Sequence, residues 1–164
     1  MEDSALIPNT VLVGERDYAA AINLIIQQAH TNLVIFDQDL THGDYASVAR
    51  YDSLHHFISQ DTHSSLTMIL HSADYLTQHC PRLFALFTTY SHKMQVYITN
   101  DFAKVAKDCF IIADDVHYIR RFHVEQARFK FALDDPDTCA SLSTRFEELL
   151  QETAGALSIV QLGL

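Results

Sequence analysis

Hydrophobic positions along this chain fall into short apolar runs separated by stretches in which they recur every three or four residues. The runs read as strands and the recurring stretches as helices. Val11–Val13 is a short strand candidate, ended by Gly14. Glu15 to His30 follows as a helix with Tyr18, Ala21, Ile22, Ile25 and Ala29 on one face. Leu33–Phe36 is a compact apolar strand that ends in Asp37, and Gln38–Gly43 is a loop. Asp44 can cap a second helix, in which Val48, Tyr51, Leu54, Phe57 and Ile58 recur to about Gln60. Ser65–His71 is the next strand, and Ser72 and Asp74 can cap a short turn after it. Pro81 suits the first position of a helix carrying Leu83, Leu86, Phe87 and Tyr90. Met94–Thr99 is again a strand.

The stretch Asp108–Phe122, DCFIIADDVHYIRRF, organises the rest. Five apolar residues break at Asp114-Asp115 and resume at Val116–Ile119, the pattern of a strand pair whose first member is buried. His123 to Asp134 reads as an irregular loop. Asp135-Pro136 starts a last helix with Leu142, Phe146, Leu149 and Leu150 on one face to about Glu152. The apolar tail from Ala154 is expected to pack back onto the body. The order β-α-β-α-β-α-β-β-β-α predicts one compact α/β domain over residues 1–164. Its sheet is expected to be mixed and largely parallel, with helices on both faces.

Composition narrows the setting. With 164 residues, 48% of them hydrophobic, and three prolines, the chain is long and apolar enough to fold around a core. No apolar run reaches membrane-spanning length, and MEDSALIPNT lacks the charge and apolar core of a signal peptide. Cys80, Cys109 and Cys139 are odd in number and show no C-x-x-C spacing, which fits unpaired thiols in a reducing cytoplasm. The formal net charge of −10 disfavours nonspecific binding to nucleic acid or an anionic membrane. Yet Lys104, Lys107, Arg120, Arg121, Arg128 and Lys130 lie close together, six of the eleven basic residues. Such a patch can hold one small anion; the plainer reading is strand-edge and loop charge that keeps the chain soluble.

Three chemistries can be weighed against the residues. Asp37-Gln38-Asp39-Leu40-Thr41 follows a strand and resembles the D-x-D-x-T motif of haloacid dehalogenase-like phosphatases. In that family the first Asp attacks phosphorus beside Mg²⁺. Here a strand and a helix precede it, Leu40 replaces the usual Gly, and the later acidic motif is incomplete. The ten histidines include His55, His56 and His63, then His71 and His79 with Cys80, then His117 and His123. None has zinc-ligand spacing, so hydrogen-bonded or exposed imidazoles are expected and no metal. With four glycines and no G-x-S-x-G there is neither a nucleophile elbow nor a phosphate loop.

Taken together, CFIIADD, VHYI, DDPDTCASLSTRFEELL and the terminal LGL resemble one half of the phospholipase D-like fold. The likeness is strongest from Met94 to Leu164. More narrowly it resembles an uncharacterised bacterial family of that superfamily, often associated with N-acetyltransferases. In the active family each half carries H-x-K-x-x-x-x-D and a following strand that ends in Gly-Ser. Aligning that Asp on Asp114 puts Lys107 in place of the His and Cys109 in place of the Lys. Arg120 and Arg121 replace the Gly-Ser region, and no H-x-K occurs anywhere in the chain. The chemistry needs an imidazole nucleophile, and Lys107 is too basic to substitute unless strongly desolvated.

The resemblance therefore implies a phospholipase D-like half that is a non-catalytic binding or regulatory module, needing no cofactor. Its strand-end cleft is expected to hold a small anion among Lys107, Asp114, Arg120, Arg121, Asp37 and His71. The competing expectation for the arginines is an internal ion pair with Asp114 or Asp115. Active single-half members pair, so a homodimer is expected, and an acyltransferase domain or protein is a further partner the resemblance suggests. The alternative function is a phosphohydrolase, either a divergent phospholipase D-like one or a Mg²⁺-dependent, haloacid dehalogenase-like one.

Overall fold

A computed structural model describes residues 6–156. Its strands are β1 (Leu12–Val13), β2 (Asn32–Asp37), β3 (Ser65–Leu70), β4 (Met94–Thr99), β5 (Cys109–Ala113), β6 (His117–His123), β7 (Gln126–Ala132) and β8 (Thr153–Ala156). The helices are α1 (Glu15–Gln28), α2 (Val48–Gln60), α3 (Asp74–His79), α4 (Pro81–Thr89) and α5 (Pro136–Gln151). One sheet takes all eight strands in the order β1-β7-β6-β5-β2-β3-β4-β8.

The mixed α/β sheet with helices on both faces is the expected architecture, and only its parallel content differs. The pairs β2/β3 and β3/β4 are parallel; the other five are antiparallel. Parallel neighbours need a crossover, and only α2 and the α3–α4 pair supply one between adjacent strands. Strands β5, β6 and β7 are joined by tight turns and so form an antiparallel meander.

Strand β7 replaces the irregular loop expected at His123–Asp134. The basic residues Arg128 and Lys130 mask a two-residue alternation in which Phe129 and Phe131 are buried. The segment after Leu70 is a six-residue helix rather than a turn. Helix α2 is capped by Ser47, whose hydroxyl accepts from the Arg50 N–H at 3.0 Å. Asp44 does not cap it, because its φ of 63° is left-handed and a cap residue is extended. Helix α5 starts as expected, with the Asp135 carboxylate accepting from the Thr138 N–H at 3.1 Å. Strand β8 packs the start of the tail against β4, and the rest of that tail lies outside the described residues.

Alternation along the strands divides the core. Leu33, Ile35, Met68, Ile111, Phe129 and Phe131 face α1, α2 and α4. Phe36, Ile69, Phe110, Ile112 and Tyr118 face α5 through Leu142, Phe146 and Leu149. No helix of the described residues is long and apolar enough to cross a membrane. The thiols of Cys80, Cys109 and Cys139 are unpaired and buried.

Candidate functional site

The sheet end where β2, β3 and β4 finish is also where β5 begins. Gln38 stitches the segments together there. Its side-chain amide donates to the carbonyls of Ala106 at 3.0 Å and Asp108 at 2.9 Å. Its own carbonyl accepts from the His71 and Ser72 N–H groups at 2.9 and 3.2 Å. Two different clusters meet at this end, one on each face of the sheet.

On the α5 face the centre is Asp108, buried although charged. Its carboxylate accepts two hydrogen bonds from the Arg145 guanidinium and one from Arg120 Nε at 3.0 Å. Burial alone would raise its pKa, but the two guanidiniums outweigh that and hold it below the ordinary carboxylate value. Arg120 is more than a third exposed and lies over the Phe122 ring at 5.3 Å, with only Nε engaged among the described residues. Lys107 is exposed nearby, its carbonyl accepting from the Val124 N–H at 2.7 Å. Lys104 pairs loosely with Asp101 at 3.7 Å.

His71 borders this face with its ring fixed. Nε2 lies 2.8 Å from the Ala106 carbonyl, which can only accept, so Nε2 carries the proton and Nδ1 accepts from Thr99 Oγ1 at 2.7 Å. Burial depresses its pKa, and Lys107 and Lys104 push the same way, so it is neutral at physiological pH. His71 is thus a structural bridge between β3, β4 and the loop before β5.

On the α1 face the centre is Asp37, buried with one carboxylate oxygen accepting from the N–H groups of Asp39 and Leu40 at 3.2 and 2.9 Å. Burial raises its pKa to about 6, against those amides and the Cys109 thiol. The same burial pushes the Cys109 thiol well up, so it stays protonated. Arg121, register partner of Cys109, is buried against α1. It donates to both Glu15 carboxylate oxygens at 2.5 and 3.0 Å and to the Val124 carbonyl at 2.7 Å, over the Tyr18 ring at 4.9 Å. His42 Nδ1 approaches the same carboxylate at 3.3 Å.

The six candidate residues therefore do not form one cleft. Arg120 shares the α5 face with His71 and Lys107 is exposed on the segment before β5, whereas Asp37 and Arg121 point to α1 because adjacent strand residues face oppositely. Asp114 belongs to neither cluster, since the antiparallel β5 carries it to the far end of the sheet. There its carboxylate accepts from the N–H groups of His30, Thr31 and Asn32 at 2.7 to 2.9 Å. These amides outweigh burial and hold its pKa below the ordinary value. The arginines do form internal ion pairs, but with Glu15 and Asp108 rather than Asp114 or Asp115.

Asp108, Arg145 and Glu15 were missed as members of the site. Arg145 lies three residues from Leu142 and four from Leu149, on the apolar stripe of α5, and Glu15 is in line with Tyr18 and Ile22. A charge on an inward stripe is the signal that marks both. Asp39 turns its carboxylate to its own loop, accepting from the Thr41 N–H and hydroxyl at 3.1 and 2.7 Å. Among the described residues no three of His, Cys, Asp or Glu converge as metal ligands.

Comparison with known proteins places this arrangement. No curated protein matches the sequence. Nuc from Salmonella typhimurium, a phospholipase D family member, superposes with a TM-score of 0.63 at 11% identity, over 90% of this chain and 97% of its own. NucT from Helicobacter pylori gives 0.60 at 15% identity, over 89% and 97%. The archaeal chromatin protein TrmBL2, whose structure shows a mode of DNA binding, gives 0.64 at 11% identity. There the match covers 88% of this chain and only 52% of the other, so the chain spans about half of that protein. At these identities the likeness shows a phospholipase D-like fold. The family model for a domain of unknown function, DUF7931, matches residues 14–157, and the chain belongs to that family.

Proposed function

We propose that the chain is a non-catalytic phospholipase D-like binding module that takes a small anion on Arg120 and Lys107. One observation carries the reading. Arg120 is held at Nε by Asp108 while its terminal nitrogens stay on the half-exposed side, a guanidinium already oriented for phosphate or carboxylate. Lys107, exposed and next to Asp108 in sequence, adds a cation to this end of the sheet, and Arg145 leaves the cluster with more positive than negative charge around Asp108. Catalysis finds no support in the groups present. Lys107 is exposed rather than desolvated, Cys109 is a buried protonated thiol, and His71 has both ring nitrogens engaged. The phosphohydrolase alternative needs Asp37 free to attack, and its carboxylate is buried and bonded to its own loop.

A thermal-shift titration with inorganic phosphate and a nucleotide panel tests this. The wild-type chain gains stability with at least one of them, and Arg120→Ala removes the gain. A wild-type chain that never shifts, or an Arg120→Ala variant that shifts equally, rejects the reading.

A further inference from the structure

Beneath the N-terminal half of α1 lies a second polar region, built around a buried charge that forms no ion pair. Arg50 is 1% exposed, yet no carboxylate of the described residues pairs with it. Its guanidinium donates to the Ala19 carbonyl at 3.2 Å, the Gly43 carbonyl at 2.7 Å and the Asn23 side-chain oxygen, all neutral, and its Nε has no partner. A guanidinium keeps its proton even when burial pulls its pKa down, so a full positive charge sits here bonded only to dipoles, with the Asp44 carboxylate acting on it from beyond hydrogen-bond reach.

All three acceptors belong to residues that line one open cleft of 590 Å³, within the ~300–1,000 Å³ usual for small-molecule sites. Arg50 dictates what they offer to it. Arginine only donates, so it fixes the Asn23 oxygen inward and leaves the Asn23 amide N–H groups for the cleft. A trans peptide sets N–H opposite to C=O, so the Gly43 carbonyl bonded to Arg50 directs the Asp44 N–H away from it, where no described group accepts. Gly43 is required in this position: its φ is +91°, and a Cβ would come 2.8 Å from Ile22. Arg16 adds a cation and His42 an imidazole at the rim, and the Glu15 carboxylate on the same cleft is already neutralised by Arg121.

We infer that this cleft, on the opposite face of the sheet from Arg120, is a binding site for a small carboxylate, seated on the Asn23 amide and Asp44 N–H, with Arg50 behind the lining residues polarising them and Arg16 as the cation of the cleft itself. The cleft also carries the Asp44 side chain, so an α-amino acid can place its ammonium there while a plain carboxylate cannot use it.

The test is a ¹⁵N NMR titration of the full chain with acetate and, separately, with glycine at millimolar concentrations. Saturable shifts at Asn23, His42 and Asp44 are expected with acetate. Tighter binding of glycine assigns the ammonium to Asp44; equal binding assigns the site to the carboxylate alone. Asn23→Asp supplies Arg50 with an internal counter-ion. It is expected to raise the melting temperature of the unliganded chain and weaken acetate about tenfold or more, the loss of one charge-assisted contact. Arg16→Ala, at the exposed rim, weakens binding without altering the fold. No saturable shift with either probe, or affinity unchanged in Asn23→Asp, overturns the inference. Shifts confined to Arg120 and Lys107 belong to the other site and also count against it.

Discussion

Asp37 sits beneath α1 with one carboxylate oxygen on two backbone amides, and burial raises its pKa to about 6. A carboxyl with a folded pKa above its unfolded one stabilises the fold when protonated. That contribution is full below the unfolded value near 4 and is lost as pH rises through 6, at most about 3 kcal/mol. Asp37→Asn keeps the acceptor oxygen and removes the buried charge. It should match the wild type in urea at pH 4 and exceed it by about 1–2 kcal/mol at pH 8. A variant less stable than the wild type at pH 8 would show that the ionised carboxylate is needed there. Asp114 has the opposite sign. Its lowered pKa contributes stability above the unfolded value that disappears as pH falls through the folded one. Asp114→Ala orphans three N–H groups at the start of β2 and should cost about 2 kcal/mol in urea at pH 7.

Strand β6 gathers most of the charged chemistry, and its pleat explains why. Arg120 and Arg121 are neighbours in sequence, yet one meets Asp108 and Arg145 under α5 and the other Glu15 under α1. The adjacency was legible as a basic cluster; its division between faces was not, because it depends on which strands flank β6. The two fates differ physically. Arg121 is enclosed and saturated, whereas Arg120 keeps donors at the surface. Asp108→Asn removes the shared counter-charge of Arg120 and Arg145 and should lower stability by about 2 kcal/mol, since both arginines remain partly solvated. The same variant should bind inorganic phosphate more weakly, because Arg120 loses the carboxylate that orients its guanidinium. Isothermal titration beside Arg120→Ala checks that ordering; tighter binding in Asp108→Asn would show that Asp108 competes for Arg120 rather than orienting it.

At the scale of the molecule, the apolar runs Leu33–Phe36 and Cys109–Ala113 were legible because strands buried on both faces carry no polar residues. Strand β7 was not, since Arg128 and Lys130 occupy its solvent-facing positions. Asp114 was legible as a strand-end acid but not as lying at the wrong end, which the antiparallel β2/β5 pairing decides. Association belongs to this scale as well. Because active single-half members of the resembled superfamily pair, the chain is expected to sediment as a homodimer at micromolar concentration. A monomer there would separate this chain from their mode of assembly.

The meander β5–β6–β7 has a kinetic consequence. Its strands join through turns of two or three residues, so their pairing closes small loops and costs little chain entropy. The β1/β7 pair instead ties Leu12 and Val13 to Phe129 and Arg128, far apart along the chain. Low-contact-order segments assemble early, and such distant pairings complete late. In pulse-labelling hydrogen exchange during refolding, amides of β5 and β6 should gain protection before the Gly14 amide, which donates to Ala127. Glu15, which neutralises Arg121, begins α1 at this late-closing corner, so Arg121 is expected to acquire its partner only as that corner closes.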